Sequence, residues 1–204
     1  MANDAFPQGL KPLNTGGTGT VRVRAYVANT AADTYLGMPV KILAIGYVSP
    51  ANAAAEDLYL GSMAGYLDQN AAGLTGAGVL PDPFLDVSDW TTVGNPYLLV
   101  TDDPDQEYAI EEDTGGTALT QAAVGTVGFL VYNATSGNDD SGWARLEFDR
   151  STIVTTTAGT VSLLRLLDLY NTDGTKNAFG SYGKLIVRIA NHQRAPTLGI
   201  VPVI

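Results

Sequence analysis

Turn-forming residues recur along the whole chain and divide its apolar runs into short pieces. The 204 residues include 23 glycines and 10 prolines, and turn signals separate the apolar runs about every eight to fifteen residues. Short runs bounded in this way are typical of β-strands. We count about ten of them, which predicts an all-β fold: a β-sandwich or β-barrel with long Gly/Pro-rich loops and extended N- and C-terminal arms.

Several segments carry individual strand signals. Residues 21–27 alternate, with one face formed by Val21, Val23, Ala25 and Val27 and the other by Arg22, Arg24 and Tyr26, which indicates a half-buried strand. Pro39 is expected to begin the strand that follows, because it lacks a ladder donor. Gly46 indicates a bulge or sharp bend. Residues 182–189 give the clearest strand pattern of the chain.

Other segments are less distinctive. Residues 161–170 suit a helix or a buried strand, and the surrounding β pattern favours the strand. Residues 118–123 are ambiguous in the same way, residues 52–57 could form one helical turn, and residues 133–142 have the composition of a polar turn or loop. We further expect a loop at 68–89, a short strand at 90–93 and an Asp-Gly turn at 171–174.

The organisation follows from these patterns. Residues 1–20 have no core-forming period and predict an extended N-terminal arm, either flexible or laid on a partner. Residues 21–195 are expected to form a single β domain. Residues 196–204, with Pro196 and Pro202, predict an extended C-terminal tail.

The acidic stretch at residues 97–113 is the most unusual in the chain. Its last twelve residues carry seven carboxylates and no basic residue. We interpret it as a strand, an acidic turn and a second strand, with Asp102 or Asp103 capping the turn, Pro104 fixing its φ angle and the acidic tip facing solvent or a neighbouring subunit. A calcium site at Asp103, Asp105 and Glu107 stays open as an alternative, although the glycine and glutamate of an EF-hand loop are missing.

Charge and composition exclude several functions. Residues 42–144 contain no Lys or Arg, and the net charge is −10, so we expect no nucleic-acid partner. No segment has the length and apolar character of a membrane span, so no membrane partner is expected. The chain has no Cys and shows no ligand set for a metal or phosphate-binding cofactor, so we predict no cofactor.

A catalytic role is not indicated either. His192, the one histidine, follows a strand in the sequence NHQR, where a surface hydrogen-bonding role is the simplest interpretation. There is no G-x-S-x-G elbow to support a nucleophilic triad. The acidic residues are sequence neighbours rather than a facing pair of the kind glycosidases use. We therefore predict that the protein is not an enzyme. A β-sandwich hydrolase that uses Asp or Glu pairs is kept as an alternative.

Three segments are similar to tailed-bacteriophage capsid decoration (cement, head-stabilisation) proteins. They are RAYV at 24–27 with LGMPV at 36–40 and GYV at 46–48, then the acidic stretch at 97–112, and finally YGKLIVRI at 182–189 with NHQ at 191–193. The resemblance covers residues 21–194. It implies a β fold on the outside of an icosahedral head, often as a trimer, that holds the major capsid shell together.

The expected function is therefore that of a structural virion protein, made in the host cytoplasm, that stabilises the capsid exterior. Its expected partners are the major capsid protein and itself, as a homotrimer. The basic residues near the start of the chain, Lys11, Arg22 and Arg24, are the candidate capsid or subunit contacts, because basic ends could settle on an acidic partner. The alternative is a head-fibre or tail-associated β module that binds host-surface glycans.

Overall fold

The computed structural model describes residues 7–14, 21–28, 32–51, 58–67, 84–85, 96–139, 141–154, 164–171 and 177–194. These residues form thirteen strands and one short 3-10 helix, Gln121–Ala123. The strands are β1 Lys11–Pro12, β2 Val23–Val27, β3 Thr34–Tyr35, β4 Pro39–Ile42, β5 Val48–Pro50, β6 Gly61–Leu67, β7 Phe84–Leu85, β8 Tyr97–Thr101, β9 Glu107–Glu112, β10 Val127–Asn138, β11 Trp143–Val154, β12 Leu164–Leu169 and β13 Lys184–Ile189. The all-β prediction is confirmed.

The six-stranded sheet has the order β1-β9-β11-β10-β12-β13 and closes on itself, because β9 also pairs with β13. Most of its pairings are antiparallel, and β11 with β9 is parallel. A closed sheet leaves few free strand edges. Its alternating inward residues form the larger core, which includes Tyr108, Ile110, Leu130, Leu146, Phe148, Leu164, Leu166, Leu185 and Val187.

The five-stranded sheet has the order β2-β8-β6-β4-β5 and is antiparallel throughout. A bridge between Ala28 and Val48 brings its first and last strands together at one end, which makes this sheet barrel-like as well. It has its own core, formed by Ala28, Val40, Val48, Leu60, Met63, Tyr66, Leu85, Leu98 and Val100. A separate two-stranded sheet pairs β3 with β7, and the Tyr35 and Phe84 rings stack there with centroids 4.9 Å apart.

Side-chain hydrogen bonds join the two larger sheets. The Ser62 hydroxyl of β6 donates to the Leu10 carbonyl at 2.7 Å, and the Tyr108 hydroxyl of β9 lies 3.2 Å from the Thr101 hydroxyl of β8. Close backbone contact adds to this joint: a Cβ atom on Gly37, whose φ is +79°, would lie 2.2 Å from the Gln8 carbonyl oxygen. Only glycine fits such an approach. Residues 7–14 of the predicted arm therefore lie on the domain itself, where β1 pairs with β9.

Several local predictions are confirmed. Pro39 is the first residue of β4. Gly46, with a φ of +84°, lies in the sharp turn between β4 and β5, where its N–H donates to the Leu43 carbonyl. Segment 161–170 contains the favoured strand, β12. Segment 118–123, which the sequence does not decide between helix and strand, forms a 3-10 helix at residues 121–123.

The prediction of a turn or loop at residues 133–142 is wrong. The polar segment 133–142 is not all turn, because β10 continues to Asn138 and pairs there with β11. A physical reason lies at Gly137, where a side chain would collide with the Tyr35 ring: a Cβ atom would come within 2.2 Å of it. The absence of that side chain lets the ring pack on the strand.

Some predictions fall outside the described residues. They are the helical turn at 52–57, the strand at 90–93, most of the loop at 68–89, the turn at 172–174 and the tail at 196–204. Within the described ranges, no helix has the length and apolar character that crossing a bilayer requires.

Candidate functional site

The acidic stretch forms two strands, as predicted, but its carboxylates are mostly buried. β8 belongs to the five-stranded sheet and β9 to the six-stranded sheet, so the turn between them crosses from one sheet to the other. Asp102 and Glu112 are fully buried, and Glu111 and Asp113 nearly so. The prediction of an acidic tip that faces solvent is therefore wrong for these four residues and holds for Asp105, which is exposed.

Asp102 lies at the centre of an ionic cluster. We call the group of Arg22, Arg24, Tyr26, Asp102 and Arg194 the Asp102 cluster. The Tyr26 hydroxyl donates to Asp102 Oδ2 at 2.6 Å, and Arg194 Nη1 donates to the same oxygen. Arg22 Nε lies 3.2 Å from Oδ1 and Arg24 Nε lies 3.6 Å from Oδ2. One buried carboxylate is thus neutralised by three guanidinium groups from both ends of the chain.

The burial of Asp102 explains the orientation of β2. The face of β2 that carries Arg22, Arg24 and Tyr26 is turned to the carboxylate, and Tyr26 packs against the smaller core. The opposite face, with Val23 and Ala25, is exposed. Burying a charge without a partner costs several kcal/mol. Exposing one valine side chain costs about the same or less. The cost of leaving Asp102 without partners therefore favours the orientation in which Arg22, Arg24 and Tyr26 face its carboxylate.

His192 positions Arg194 and is not a surface residue, so that prediction is wrong. The His192 side chain is buried, and its Nδ1 accepts the backbone N–H of Arg194 at 3.0 Å. Next to it, the Gln193 side chain binds the backbone of Ile42 through both its amide oxygen and its amide nitrogen. These contacts fix the chain that delivers the Arg194 guanidinium to Asp102.

The cluster sets the protonation states of its members. Burial alone would raise the pKa of Asp102, but the Tyr26 hydroxyl and the arginines outweigh it, and the net pKa lies below the usual aspartate value. The pKa of Tyr26 is raised by burial and by its hydrogen bond to Asp102. Burial lowers the pKa of His192, although the negative charge of Asp102 acts in the opposite direction. At neutral pH Asp102 is therefore a carboxylate and Tyr26 a neutral phenol.

A second buried ionic group has the opposite charge pattern. The Arg150 cluster consists of Arg150 with Glu112, Asp113, Thr114 and Gly115. Arg150 Nη1 lies 3.1 Å from Glu112 Oε1, Nη2 donates to the Thr114 carbonyl at 2.6 Å, and Nε donates to the Gly115 carbonyl. The backbone N–H of Arg150 also donates to Asp113 Oδ1 at 3.1 Å. All three guanidinium nitrogens therefore have acceptors within the protein.

The three predicted contact residues are not all brought together. Arg22 and Arg24 meet in the Asp102 cluster. Lys11 lies elsewhere: its Nζ is 5.9 Å from the centroid of the Trp143 ring and 3.4 Å from Gln8 Oε1. Sequence reasoning missed Asp102, Tyr26 and Arg194 as members of one site. The available signal was the block 42–144, which has many acids and no base, so that any buried acid in it needs a basic partner from the chain ends.

The proposed calcium ligands have other roles in the turn. Asp103 Oδ1 accepts the Asp105 N–H at 2.9 Å, which confirms the predicted capping role. The Asp105 carboxylate lies 3.2 Å from Arg188 Nη1. In the part of the chain that the structure describes, no group of three or more His, Cys, Asp or Glu side chains is arranged to hold a metal ion.

Comparison with known proteins gives no match. No family model, no curated protein and no solved structure matches the chain.

Proposed function

We propose that this protein decorates and stabilises the outer surface of an icosahedral phage capsid by binding the lattice of the major capsid protein. The proposal includes self-association, with a homotrimer as the expected state, and a location on the exterior of the virion. It assigns no reaction to the protein.

The observation that carries the proposal is where the three segments with the family resemblance lie. The first and second segments pair directly, as β2 with β8. The second and third pair as β9 with β13. The third also contacts the chain between two pieces of the first, through the two hydrogen bonds between Gln193 and Ile42. Segments far apart in sequence thus form one contiguous unit, which is what a shared architecture requires and scattered similarity does not.

The ionic groups give secondary support. In the Arg150 cluster, the buried acids Glu112 and Asp113 contact Arg150, as expected of groups that hold a fold together. The Asp102 cluster differs because its arginines also reach the surface, with side-chain exposures of 42% for Arg22, 45% for Arg24 and 37% for Arg194. Partly exposed arginines are enriched at protein interfaces. This pattern favours a binding role.

The test uses expanded capsids assembled from the major capsid protein of the same genome, without this protein. Purified protein is added and sedimented with the capsids, and its oligomeric state in solution is measured by light scattering. We expect saturable binding with a fixed number of copies per capsid, and capsids that survive higher temperature when decorated. A monomer that fails to sediment with expanded capsids would contradict the proposal.

A further inference from the structure

Strand β2 has one free edge. It pairs with β8 along one side, from Val23 opposite Thr101 to Val27 opposite Tyr97. On its other side, the bridge from Ala28 to Val48 is the one pairing found in the described residues. Such an edge presents backbone N–H and C=O groups to which an extended segment of another chain can add as a further strand.

The free edge is accessible and partly apolar. Residues 22–25 are all exposed, and Val23, at 43%, is one of the few large apolar side chains exposed among the described residues. Natural proteins usually protect an edge with an inward-pointing charge, a proline or a cover. Arg22 and Arg24 are charges of this kind, because they point to Asp102. They disfavour an added strand unless it brings carboxylates to them, while the outward face carries Val23 and Ala25.

The charge around this edge is positive in an otherwise acidic protein. Among the described residues here, three guanidinium ions surround one carboxylate, which leaves two positive charges, and counting the neighbouring Asp103 still leaves one. Asp105 in the same turn is paired with Arg188. Because the whole chain carries −10, this local surplus favours an occupant with acidic side chains.

We propose that β2 is a docking edge to which an extended acidic segment of the major capsid protein adds as a strand. The carboxylates of that segment lie near Arg22, Arg24 and Arg194. The identity of the partner rests on the proposed function. A second copy of this chain is disfavoured, because pairing β2 with β2 would bring the arginines of both copies together.

Two substitutions at one exposed position test the sign of the partner's charge. Val23→Glu and Val23→Lys have similar length and place opposite charges on the edge without touching the Asp102 cluster. Sedimentation with expanded capsids should show about tenfold weaker binding for Val23→Glu, from like-charge repulsion. Val23→Lys should bind at least as tightly as the wild type. Wild-type binding should also weaken as NaCl is raised from about 50 to about 500 mM.

A second pair of variants tests the arginines. Arg22→Gln/Arg24→Gln leaves Arg194 and Tyr26 on Asp102, and we expect it to weaken capsid binding at least tenfold. Arg165→Gln is the matched control, since Arg165 lies on β12 in the other sheet and makes one long contact, 3.4 Å to the Gly125 carbonyl. It should bind as the wild type does.

The outcomes separate the two proposals. If wild-type protein does not bind capsids, the proposed function fails and the docking edge fails with it. If wild-type protein binds and the two Val23 variants bind equally, or Val23→Lys is the weaker one, decoration stands and the acidic strand on β2 is overturned. If only Val23→Glu and the double arginine variant lose binding, the docking edge is supported.

Discussion

The two ionic clusters have opposite charge patterns and differ in how far their charged side chains are exposed to solvent. In the Arg150 cluster one buried arginine is held by Glu112, by Asp113 and by backbone carbonyls, and all three charged side chains are buried. In the Asp102 cluster one buried aspartate is held by three arginines that stay partly exposed. The first arrangement is closed and stabilises the fold. The second is open, because its cations can still meet another molecule.

The largest effect is expected when the closed cluster is broken. Arg150→Met leaves two buried carboxylates without their cation, and we expect unfolding free energy to fall by about 3–5 kcal/mol. Urea denaturation followed by circular dichroism measures this. The same truncation at Arg165, which lies on β12 of the same sheet and makes one long contact to the Gly125 carbonyl, is the control and should change stability by less than about 0.5 kcal/mol. Equal losses of unfolding free energy in the two variants would mean that Arg150 contributes no more to stability than Arg165 does.

A smaller loss is expected at the centre of the open cluster. Asp102→Asn keeps the size of the side chain and removes the charge that holds three arginines together. Since hydrogen bonds to charged groups contribute about 1.5–3 kcal/mol, we expect a loss of about that size in urea denaturation. A loss as large as that of Arg150→Met would show that the two clusters are equally structural.

The two clusters should also respond oppositely to acid. The folded pKa of Asp102 lies below its ordinary value of 3.8, so its stabilisation is present above that value and is lost as the pH falls through the folded pKa. Burial raises the pKa of Asp113 despite the N–H groups of Arg150 and Gly115, so its contribution is present at low pH and is lost as the pH rises through the folded pKa. A carboxyl-detected NMR titration should place Asp113 above Asp102; the reverse order would contradict this contrast.

His192 adds a pH dependence that the Arg150 cluster lacks. Its folded pKa lies below 6.5, so below about pH 6.5 the unfolded chain takes up a proton that the folded chain does not. Unfolding free energy should therefore decrease from pH 7 to pH 5, by up to about 1.4 kcal/mol for each unit of pKa difference. In His192→Gln this decrease should be absent. A variant with the wild-type pH profile would exclude His192 as the cause.

The smallest effect on stability is expected at the exposed arginines. Arg22→Gln should cost less than about 1 kcal/mol, because the Arg22 side chain is 42% exposed and Asp102 keeps its other partners. Thermal unfolding measures the change, and Arg165→Gln is again the control. A cost of several kcal/mol would mean that Arg22 belongs to the fold rather than to a surface.

The sequence predicted the class of fold and most strands, because alternation, glycine and proline are local signals. It placed β8, β9, β12 and β13 and the start of β4 correctly. It could not show that β8 and β9 belong to different sheets, since sheet membership depends on partners far away in the chain. The prediction of an exposed Asp102 is wrong for the same reason: the arginines that pair with it come from positions 22, 24 and 194, far away in the chain.

Hydrogen exchange on capsid-bound and free protein tests the contrast between the clusters most directly, since it reports both regions in one experiment. We expect the backbone amides of β2 to gain protection from exchange on binding. The amides of residues 112–115 and Arg150 should exchange as they do in the free protein. Bound protein that shows no added protection at β2, with new protection at residues 112–115 instead, would contradict the assignment of the open cluster to binding and the closed cluster to folding.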